Sequence, residues 1–554
     1  MCLRALECGN NKLTSLEPLK GMPLTHLQCG ANALSGNALE PLRGMPLRVL
    51  TCECNRLTTL EPLSAMALTS VDLRGNQIND LSPLRGMPLQ RLSCCGNLVE
   101  TLEPLRGMKL SWLGCNGSGL RSLEPLTGMP LRLLHAAQNH ITSLEPLRGT
   151  ALRDLKFTAN HVSSLGPLEG MPLEILSCAQ NELTSLEPLR GMPLKELHCG
   201  DNPLTSLAPI WSLSLTSLSI SDLPLTNAET EAIAKMKLGT LGIWRCGLTS
   251  LEAFRGMSLS TLECGGNLIK SVEPLKGMPL TRLCLPKNRV DSLEPLKGMP
   301  LSWLDSASNR LTSLDPLRGM QLTVLGCGGN QITSFEPLVG MPLGALDCHN
   351  TSVTTLQPLA GMPFVDLRCA GTPLSSLEPF VERPPDRFYF DSDSLPEREI
   401  ERVLKLWSAN PRFAVAAKQA AMVLSLRRGG RDALRSMAAP FQGHGYLVVP
   451  CARTWDDACR LCDRVGAHLA TLTSTGEDAF VASLPSSADV YHMWIGLRRQ
   501  GGRSSWVTGE IVEYENHVTC READKDGPRC LMDGRWYCET DPEERRSILM
   551  EWDE

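Results

Sequence analysis

Apolar residues recur at fixed intervals along the first 380 residues. In the stretch 173–193, LEILSCAQNELTSLEPLRGMP, the frame is set by Leu173, Leu176, Cys178, Leu183, Leu186, Leu189 and Met192. The same frame opens at residues 3, 24, 47, 68, 89, 110, 131, 152, 173, 194, 215, 238, 259, 280, 301, 322, 343 and 364, which makes eighteen copies. The step is 21 residues except after the copies at 24 and 215, where it is 23, and the residue ten places in is always Leu, Ile or Val. Such a period predicts a solenoid, because one short unit cannot bury its own apolar side and stacking supplies the core. Leu176 and Cys178 alternate as strand residues do, so both face inward and their neighbours outward. Asn181 turns the chain, and its side chain is suited to satisfying backbone groups of adjacent turns. Thirteen copies keep that residue: Asn11, Asn32, Asn55, Asn76, Asn97, Asn139, Asn160, Asn181, Asn202, Asn267, Asn288, Asn309 and Asn330. Leu186-Glu187-Pro188-Leu189 is too short and too marked by proline for a full helix, which predicts extended or 3₁₀ segments on the outer side.

The pattern Leu-x-x-Leu-x-(Cys/Leu)-x-x-Asn-x-Leu, followed by Leu-x-Pro-Leu, resembles the leucine-rich repeat, and its short form is similar to the bacterial internalin type. The resemblance covers residues 1–380. It implies a β-rich α/β solenoid whose outward strand residues line a concave contact face. On that face the conspicuous residues are Trp112, His135, Asp154, Lys156, His198, Trp244, Arg282 and Trp303, set among Ser, Gly, Ala and Thr. Trp and Arg are enriched where proteins bind one another. These eight residues are the candidate partner-binding set, spread over about 40 Å of strands at ~4.8 Å each.

Two copies depart from the frame. Ser35-Gly36-Asn37 adds a small loop, and residues 226–237 (TNAETEAIAKMK) read as a helix capped by Thr226 or Asn227. The second insertion interrupts the Asn column at Leu223 and Cys246, and marks either a bend or a join between two arrays. Beyond Pro379 the frame ends and residues 381–393 read as a linker. Residues 394–440 then read as a helical cap or spacer. Ser394-Leu395-Pro396-Glu397 opens a helix with Ile400, Val403, Leu404 and Trp407 as its apolar stripe, an Ala-rich helix covers about 411–427, and Gly429-Gly430 precedes a short third one.

From Phe441 the pattern changes once more. Gly443 to Val449 is a strand candidate, Thr454-Trp455-Asp456-Asp457 caps a helix with Ala458, Leu461, Cys462 and Val465 on one face, and Ser474-Thr475-Gly476-Glu477 is a capping box. Trp-x-x-Ala-x-x-x-Cys from Trp455, Gly466-Ala467-His468-Leu469-Ala470 and Trp494-Ile495-Gly496-Leu497, in this order, resemble the C-type lectin-like domain over residues 441–554. That resemblance implies an α+β domain. Calcium-dependent sugar binding in that family uses a Glu-Pro-Asn or Gln-Pro-Asp loop and a Trp-Asn-Asp strand, which supply oxygens suited to a hard cation. Here the loop at 517–529 lacks both tripeptides and the strand reads Trp536-Tyr537-Cys538, so no such site is expected. Asp524, Asp526, Asp533 and Glu539 remain as improvised ion ligands or plain surface acids. Cys462 stands where the family's first disulfide begins, while its usual partner region reads Leu549-Met550-Glu551-Trp552, so that bridge is absent. Cys459-x-x-Cys462 with His468, or Cys520, Cys530 and Cys538, are either zinc ligands or free thiols, and their spacing is not a paired zinc framework.

A net charge of −6 is mild, and no basic stripe points to nucleic acid. No run of about 18 apolar residues is present to span a membrane. Of 22 cysteines, eleven (Cys8, Cys29, Cys52, Cys94, Cys115, Cys178, Cys199, Cys264, Cys327, Cys348, Cys369) take the inward strand position that Leu73, Phe157, Ile220 and Leu285 take elsewhere. They are expected to act as small hydrophobes, which favours a reducing cytoplasm over an oxidising compartment. The frame is in full register from Leu3 without a polar cap or a secretory leader, which favours a chain that continues upstream over a first copy that caps itself. No Gly-rich phosphate loop, His-Glu-x-x-His, Gly-x-Ser-x-Gly or kinase signature occurs. The expected function is a non-catalytic protein-binding scaffold without metal or cofactor. Two alternatives remain: the sensor half of a larger signalling enzyme, such as a kinase, with its catalytic domain upstream, and a secreted carbohydrate binder.

Overall fold

The computed structural model describes residues 3–390, 395–441, 443–474, 477, 480, 481, 484, 493–500, 503–508, 527–532, 535–538 and 546–553. It divides into two compact units, Met1–Leu223 with Lys235–Leu238, and Pro224–Ala234 with Gly239–Glu554. The division falls at the insertion 226–237.

In the first unit, short parallel strands run from Ala5–Glu7 to Ser217–Ser221, one per copy. They pair in register, so that Leu134, Leu155, Leu176 and Leu197 stack in one column. The inner copies bury a ring of apolar side chains, as Leu173, Leu176, Cys178, Leu183, Leu186, Leu189 and Met192 do, whereas in the first copy Leu3 is exposed and Cys8 only partly buried. Burying a leucine contributes about 1.5–3 kcal/mol, so the stack is held chiefly by this repeated layer. The outer side is a row of three-residue 3₁₀ turns such as Glu187–Leu189. Sequence reading missed how each turn is capped. The Ser or Thr two residues earlier accepts the turn's first N–H, as Ser185 does from Glu187 at 3.1 Å and Thr59 from Glu61 at 3.2 Å. Exposed Glu-Arg pairs three residues apart, among them Glu145 with Arg148 and Glu187 with Arg190, line this side. The small insertion near residue 36 forms a two-residue parallel ladder, Ser35–Gly36 with Arg56–Leu57.

Asparagine ties the copies together. Asn181 is fully buried, and its Nδ2 donates to the carbonyls of Cys178 at 3.2 Å, Ala179 at 3.0 Å and, one copy back, Phe157 at 3.1 Å. Its Oδ1 accepts the Val162 N–H of that same earlier copy at 3.0 Å. One side chain thus bonds four backbone groups, and carbonyls such as those of Phe157 and Cys178 are shared between the Asn side chains of two successive copies. Where the column lacks Asn, smaller groups do part of the work: Ser118 reaches Cys94 O at 3.4 Å, and Thr372 reaches Cys348 O at 3.0 Å. The residue before the Asn position is left-handed even when it is not glycine, as at Gln138, Ala159, Gln180, Arg245 and Lys287 with φ of 51–63°.

The second unit opens with helix α1 (Asn227–Ala234), capped by Thr226, whose hydroxyl accepts the Glu229 N–H at 3.3 Å while Glu229 accepts the Thr226 N–H at 2.9 Å. Parallel strands continue from Thr240–Trp244 to Arg387–Tyr389. The last of these corrects the linker reading of 381–393. Phe388 and Phe390 alternate with Arg387 and Tyr389, and Leu367 pairs with Phe388 in the parallel ladder. Pro384 and Pro385 conceal that alternation in the sequence. Phe380, Phe388 and Phe390 are buried with Trp407 of helix α2 (Glu397–Ser408), the rings 5.0–6.2 Å apart, and close the end of the core. Ser394, the expected cap of α2, lies outside the described residues. Glu399 of α2 caps the last 3₁₀ turn by accepting from Leu377 N–H at 3.2 Å and Ser376 Oγ at 3.1 Å.

Helix α3 (Ala414–Arg428) ends at left-handed Gly429, and α4 (Arg431–Arg435) follows. Met422, Leu426 and Leu434 enter one apolar cluster with Leu447, Ala458, Cys462, Val465, Trp494, Met550 and Trp552. These helices therefore do more than space two domains: α2 closes the solenoid end and α3 and α4 join the C-terminal core. The C-terminal sheet runs in the order Ala439–Phe441, His444–Arg453, Arg546–Asp553, Met493–Gln500, Gly527–Met532, Arg535–Cys538. Helix α5 (Trp455–Arg464), capped by Thr454 accepting from Asp457 N–H at 3.2 Å, packs into it.

Asn181→Ala is expected to leave the Val162 N–H buried and unpaired, at roughly 1–3 kcal/mol, while the Phe157 carbonyl keeps its bond from Asn160 Nδ2 at 2.9 Å, whereas Asn11→Ala, at an exposed turn, is expected to cost less than about 1 kcal/mol. Urea unfolding followed by circular dichroism, with hydrogen exchange at Val162, measures both.

Candidate functional site

Two clusters occupy the outward strand positions, one in each unit. In the first unit the Trp112 ring lies against Gly114, where an added Cβ would sit 3.0 Å from Trp112 Cη2. The Arg91 guanidinium stands 5.5 Å from that ring, and His135 meets it edge-on at 6.3 Å. His135 Nε2 lies 3.3 Å from Asp154 Oδ2, while Asp154 Oδ1 is buried without a hydrogen-bond partner. The structure thus brings Trp112, His135 and Asp154 together. Lys156 is on the same strand as Asp154, and His198 is two copies further on, between Ser177 and Ser219.

In the second unit Trp244 folds over Gly265, where a Cβ would lie 2.3 Å from its Cζ3. Arg282 stacks on Trp303 with 3.7 Å between guanidinium and ring centroid, and its Nε is 3.5 Å from Glu263. Trp112, Trp244 and Trp303 are half-buried rather than freely projecting, and for the first two a glycine in or beside the strand, Gly114 and Gly265, leaves a seat.

Sequence reading missed a polar group on this second face. Asp305, in the strand Trp303–Asp305, leans over Gly326, where a Cβ would come within 2.6 Å of its Oδ1. It accepts from the Ala307 N–H at 3.0 Å and faces the Cys284 thiol at 3.8 Å. Burial pushes its carboxyl up to about 6 against the pull of the Ala307 N–H, and Asp347 adds to the rise. Two strands on, His349 Nδ1 is 2.6 Å from Asp347 Oδ1, its ring seated over Gly328. Asp347 stays below the ordinary carboxylate value although burial opposes this, since His349 and Arg368 favour its charge. The signal in the sequence was Gly326 and Gly328 beside acidic strand residues.

The inward cysteines sit in the core as free thiols: Cys29, Cys52, Cys94, Cys178, Cys264, Cys327 and Cys348 are inaccessible. Burial pushes the Cys29 and Cys264 thiols up to about 12, which keeps them protonated and inert. Among the described residues no group of three or more His, Cys, Asp or Glu stands ready to hold a metal.

The lectin-like part carries a buried polar network beside the position where the family's bridge would end. Cys462 packs in the same cluster as Met550. Beside Met550, the almost fully buried Glu551 accepts from Thr471 N–H at 2.7 Å, and its other oxygen lies 3.0 Å from both the Tyr446 hydroxyl and His444 Nδ1. Tyr446 is also 3.2 Å from Glu477, whose second oxygen accepts from the N–H groups of Thr473 at 2.7 Å and Ser474 at 3.0 Å. The Ser474 and Glu477 capping bonds are therefore formed. A hydroxyl has one proton, so Tyr446 donates to only one carboxylate, and the second close contact requires a proton on the other. Burial pushes the Glu551 carboxyl above its ordinary value, which places that proton on Glu551. The loop residues 517–526, including Cys520, Asp524 and Asp526, lie outside the described residues, as do Asp533 and Glu539, while Cys530 and Cys538 are placed only by their strands.

Known proteins resemble the chain in two separate parts. The family model of the lectin C-type domain matches residues 452–548. One chain of the snaclec coagulation factor IX/factor X-binding protein of Protobothrops flavoviridis is 40% identical over 104 residues, 17% of this chain and 67% of the relative. Snaclec A13 of Macrovipera lebetinus is 41% identical over 85 residues, 14% of this chain and 65% of its own length. The chain thus spans about two thirds of the curated relatives it matches. Among solved structures, the functional domain of InlJ from Listeria monocytogenes, which includes a cysteine ladder, aligns at 23% identity and TM-score 0.41 over 60% of this chain and 74% of that one. Human lithostathine aligns at 22% identity and TM-score 0.20 over 21% of this chain and 88% of that one.

Exposed Cys54 is expected to react with a thiol reagent in the native protein, while Cys29, Cys94 and Cys327 stay unmodified until unfolding, which peptide mass spectrometry resolves. A carboxyl whose folded value is raised loses stability for the fold as pH climbs above the ordinary value of 4.5 toward the folded one. The wild type is therefore expected to lose stability across that window as Glu551 is forced to ionise beside Tyr446, Glu477, His444 and His468. Glu551→Gln is expected to flatten the profile and to raise stability above the window by about 1 kcal/mol, read from thermal melts of the C-terminal core at a series of pH values.

Proposed function

We propose that this chain, which belongs to the C-type lectin family through residues 452–548, is a non-catalytic binding protein whose solenoid strand face recognises a protein partner. The lectin-like domain adds a second recognition surface without the family's calcium-sugar site. The observation that carries this reading is a cluster at outward strand positions in each unit, exposed Arg91 with half-buried Trp112, His135 and Asp154 in the first and half-buried Glu263, Arg282 and Trp303 in the second. Aromatic and Arg anchors on a rigid floor lose little entropy on binding, which is what a protein hot spot requires. A protein rather than a sugar ligand for the lectin-like domain is supported by the name of the 40% identical snaclec, a factor IX/factor X-binding protein, together with the missing Glu-Pro-Asn and Gln-Pro-Asp tripeptides. Working in a reducing compartment is part of the same proposal, supported by the buried free thiols and by Met550 at the bridge position.

Affinity capture with the full chain, wild type and with Trp112, Trp244 and Trp303 changed to Ala, tests the proposal. One protein is expected to be retained by the wild type and lost from the triple variant, both remaining folded by circular dichroism. Retention of the same partner by both forms excludes the strand face. Calcium-dependent retention on a glycan array by residues 441–554 within the full chain would instead establish a carbohydrate binder.

A further inference from the structure

On the strand face of the second unit, carboxylates come with cations. Glu263 has Arg282 at 3.5 Å, Asp347 has His349 at 2.6 Å and Asp366 has Arg368 at 3.0 Å. Asp305 breaks the pattern. Among the described residues its polar contacts are the Ala307 N–H and the Cys284 thiol, and no Lys, Arg or His stands within ion-pair distance of it. A half-buried carboxylate without a cation is costly, and a protein that keeps one gains when a ligand supplies the counter-charge.

We propose that the Asp305 seat takes the side-chain ammonium of a lysine presented by a protein partner. This rests on the recognition role assigned above to the strand face and names the chemistry it recognises. Gly326 forms the floor of the seat, since any side chain there would meet Asp305 Oδ1 at 2.6 Å, and Gly328 continues the floor beneath His349. Trp303 and Arg282 wall one side, in the strand of Asp305 and the strand before it, and on the other side Asp347 of a later strand is already matched by His349 at 2.6 Å, so Asp305 is the carboxylate left for an incoming cation. A metal ion is the wrong cation, because among the described residues no group of three or more His, Cys, Asp or Glu stands in metal-holding geometry. A guanidinium would look for a paired acceptor edge or an aromatic face, but Asp305 Oδ1 is held by Ala307 N–H and Trp303 already carries Arg282. A compact ammonium needs only the lone pairs left on one carboxylate, whose Oδ2 meets nothing stronger than the weak thiol donor of Cys284 at 3.8 Å.

The titratable groups that act on Asp305 are Cys284 from the strand before it and Asp347 and His349 from beyond the strand after it, while Glu263 and Arg282 act on Cys284 and Arg368 on Asp347. Lysine binding requires an ionised Asp305, so affinity falls as acid neutralises it.

The test is calorimetric titration of the full chain with an acetylated, amidated tetralysine peptide near pH 7.5, with its Nε-acetylated form as the uncharged control. D305N is expected to weaken binding by about tenfold, while D315N, which removes the same charge from an exposed outer turn, changes it by less than about twofold. G326A, which displaces the carboxylate but keeps its charge, is expected to weaken binding as well and covers the case in which D305N unfolds. For the wild type, affinity is expected to drop about threefold or more near pH 5. Equal losses in D305N and D315N, or undiminished binding of the acetylated peptide, overturn the proposal. If the Trp variants lose the captured partner while the lysine peptide ignores D305N, the lysine seat alone fails. If the peptide responds to D305N while capture ignores the Trp changes, the seat stands and the broader recognition role fails.

Discussion

Everything in the repeat region depends on what happens to the backbone as it leaves each strand. At that turn a buried N–H such as that of Val162 is served by the Asn of the next copy, and a carbonyl such as that of Phe157 is shared between the Asn of its own copy and the Asn of the next, where water cannot serve them. Asn is the shortest side chain that can donate twice and accept once in this geometry, and Asn181 shows the whole set of bonds. The apolar layer supplies most of the stabilisation, but it is indifferent to small slips between copies. The Asn bonds are not, since they reach one copy back to particular atoms, and they convert a stack of greasy turns into a ladder with one register. Each outward side chain therefore has a fixed neighbour, which is the condition for any recognition site on the strand face.

Much of this was legible in the chain. The 21-residue frame, the inward cysteines and the Asn column all rest on contacts within a copy or between equal positions of successive copies, and such contacts leave periodic traces. The strand at Arg387–Tyr389 was hidden because its copy loses the Leu frame and is preceded by two prolines, although Phe388 and Phe390 alternate as a strand requires. The capping of 3₁₀ turns by Ser185 and its equivalents was present in the sequence and passed over, since a Ser followed two places later by Glu-Pro-Leu is a local signal.

The sites were less legible, for a physical reason. What makes Asp305 unusual is not its own identity but the absence of a side chain at Gly326 and of a cation nearby, and absences leave no motif. In the same way, the loss of the family's bridge can be read from Met550, while the network of Glu551 with Tyr446, Thr471 and Glu477 joins residues up to 105 positions apart. The tryptophans were found by type, but the half-buried setting of two of them depends on glycines in or beside their own strands, at Gly114 for Trp112 and Gly265 for Trp244.

The left-handed residue at each strand exit bears on how such a face changes over generations. Gln138, Ala159, Gln180 and Lys287 hold a conformation that L side chains disfavour by roughly 1–2 kcal/mol, and they are held there by the Asn bonds that follow rather than by their own preference. A position whose backbone is dictated by its neighbour tolerates a wide range of side chains: Ala, Gln and Lys all occur there in this one chain. The rim of the strand face is thus a row of interchangeable sites, where substitution alters surface chemistry while core and register stay intact. The small strain stored at each turn is the counterpart of that freedom, and it gives an inherited scaffold the means to acquire new partners one residue at a time.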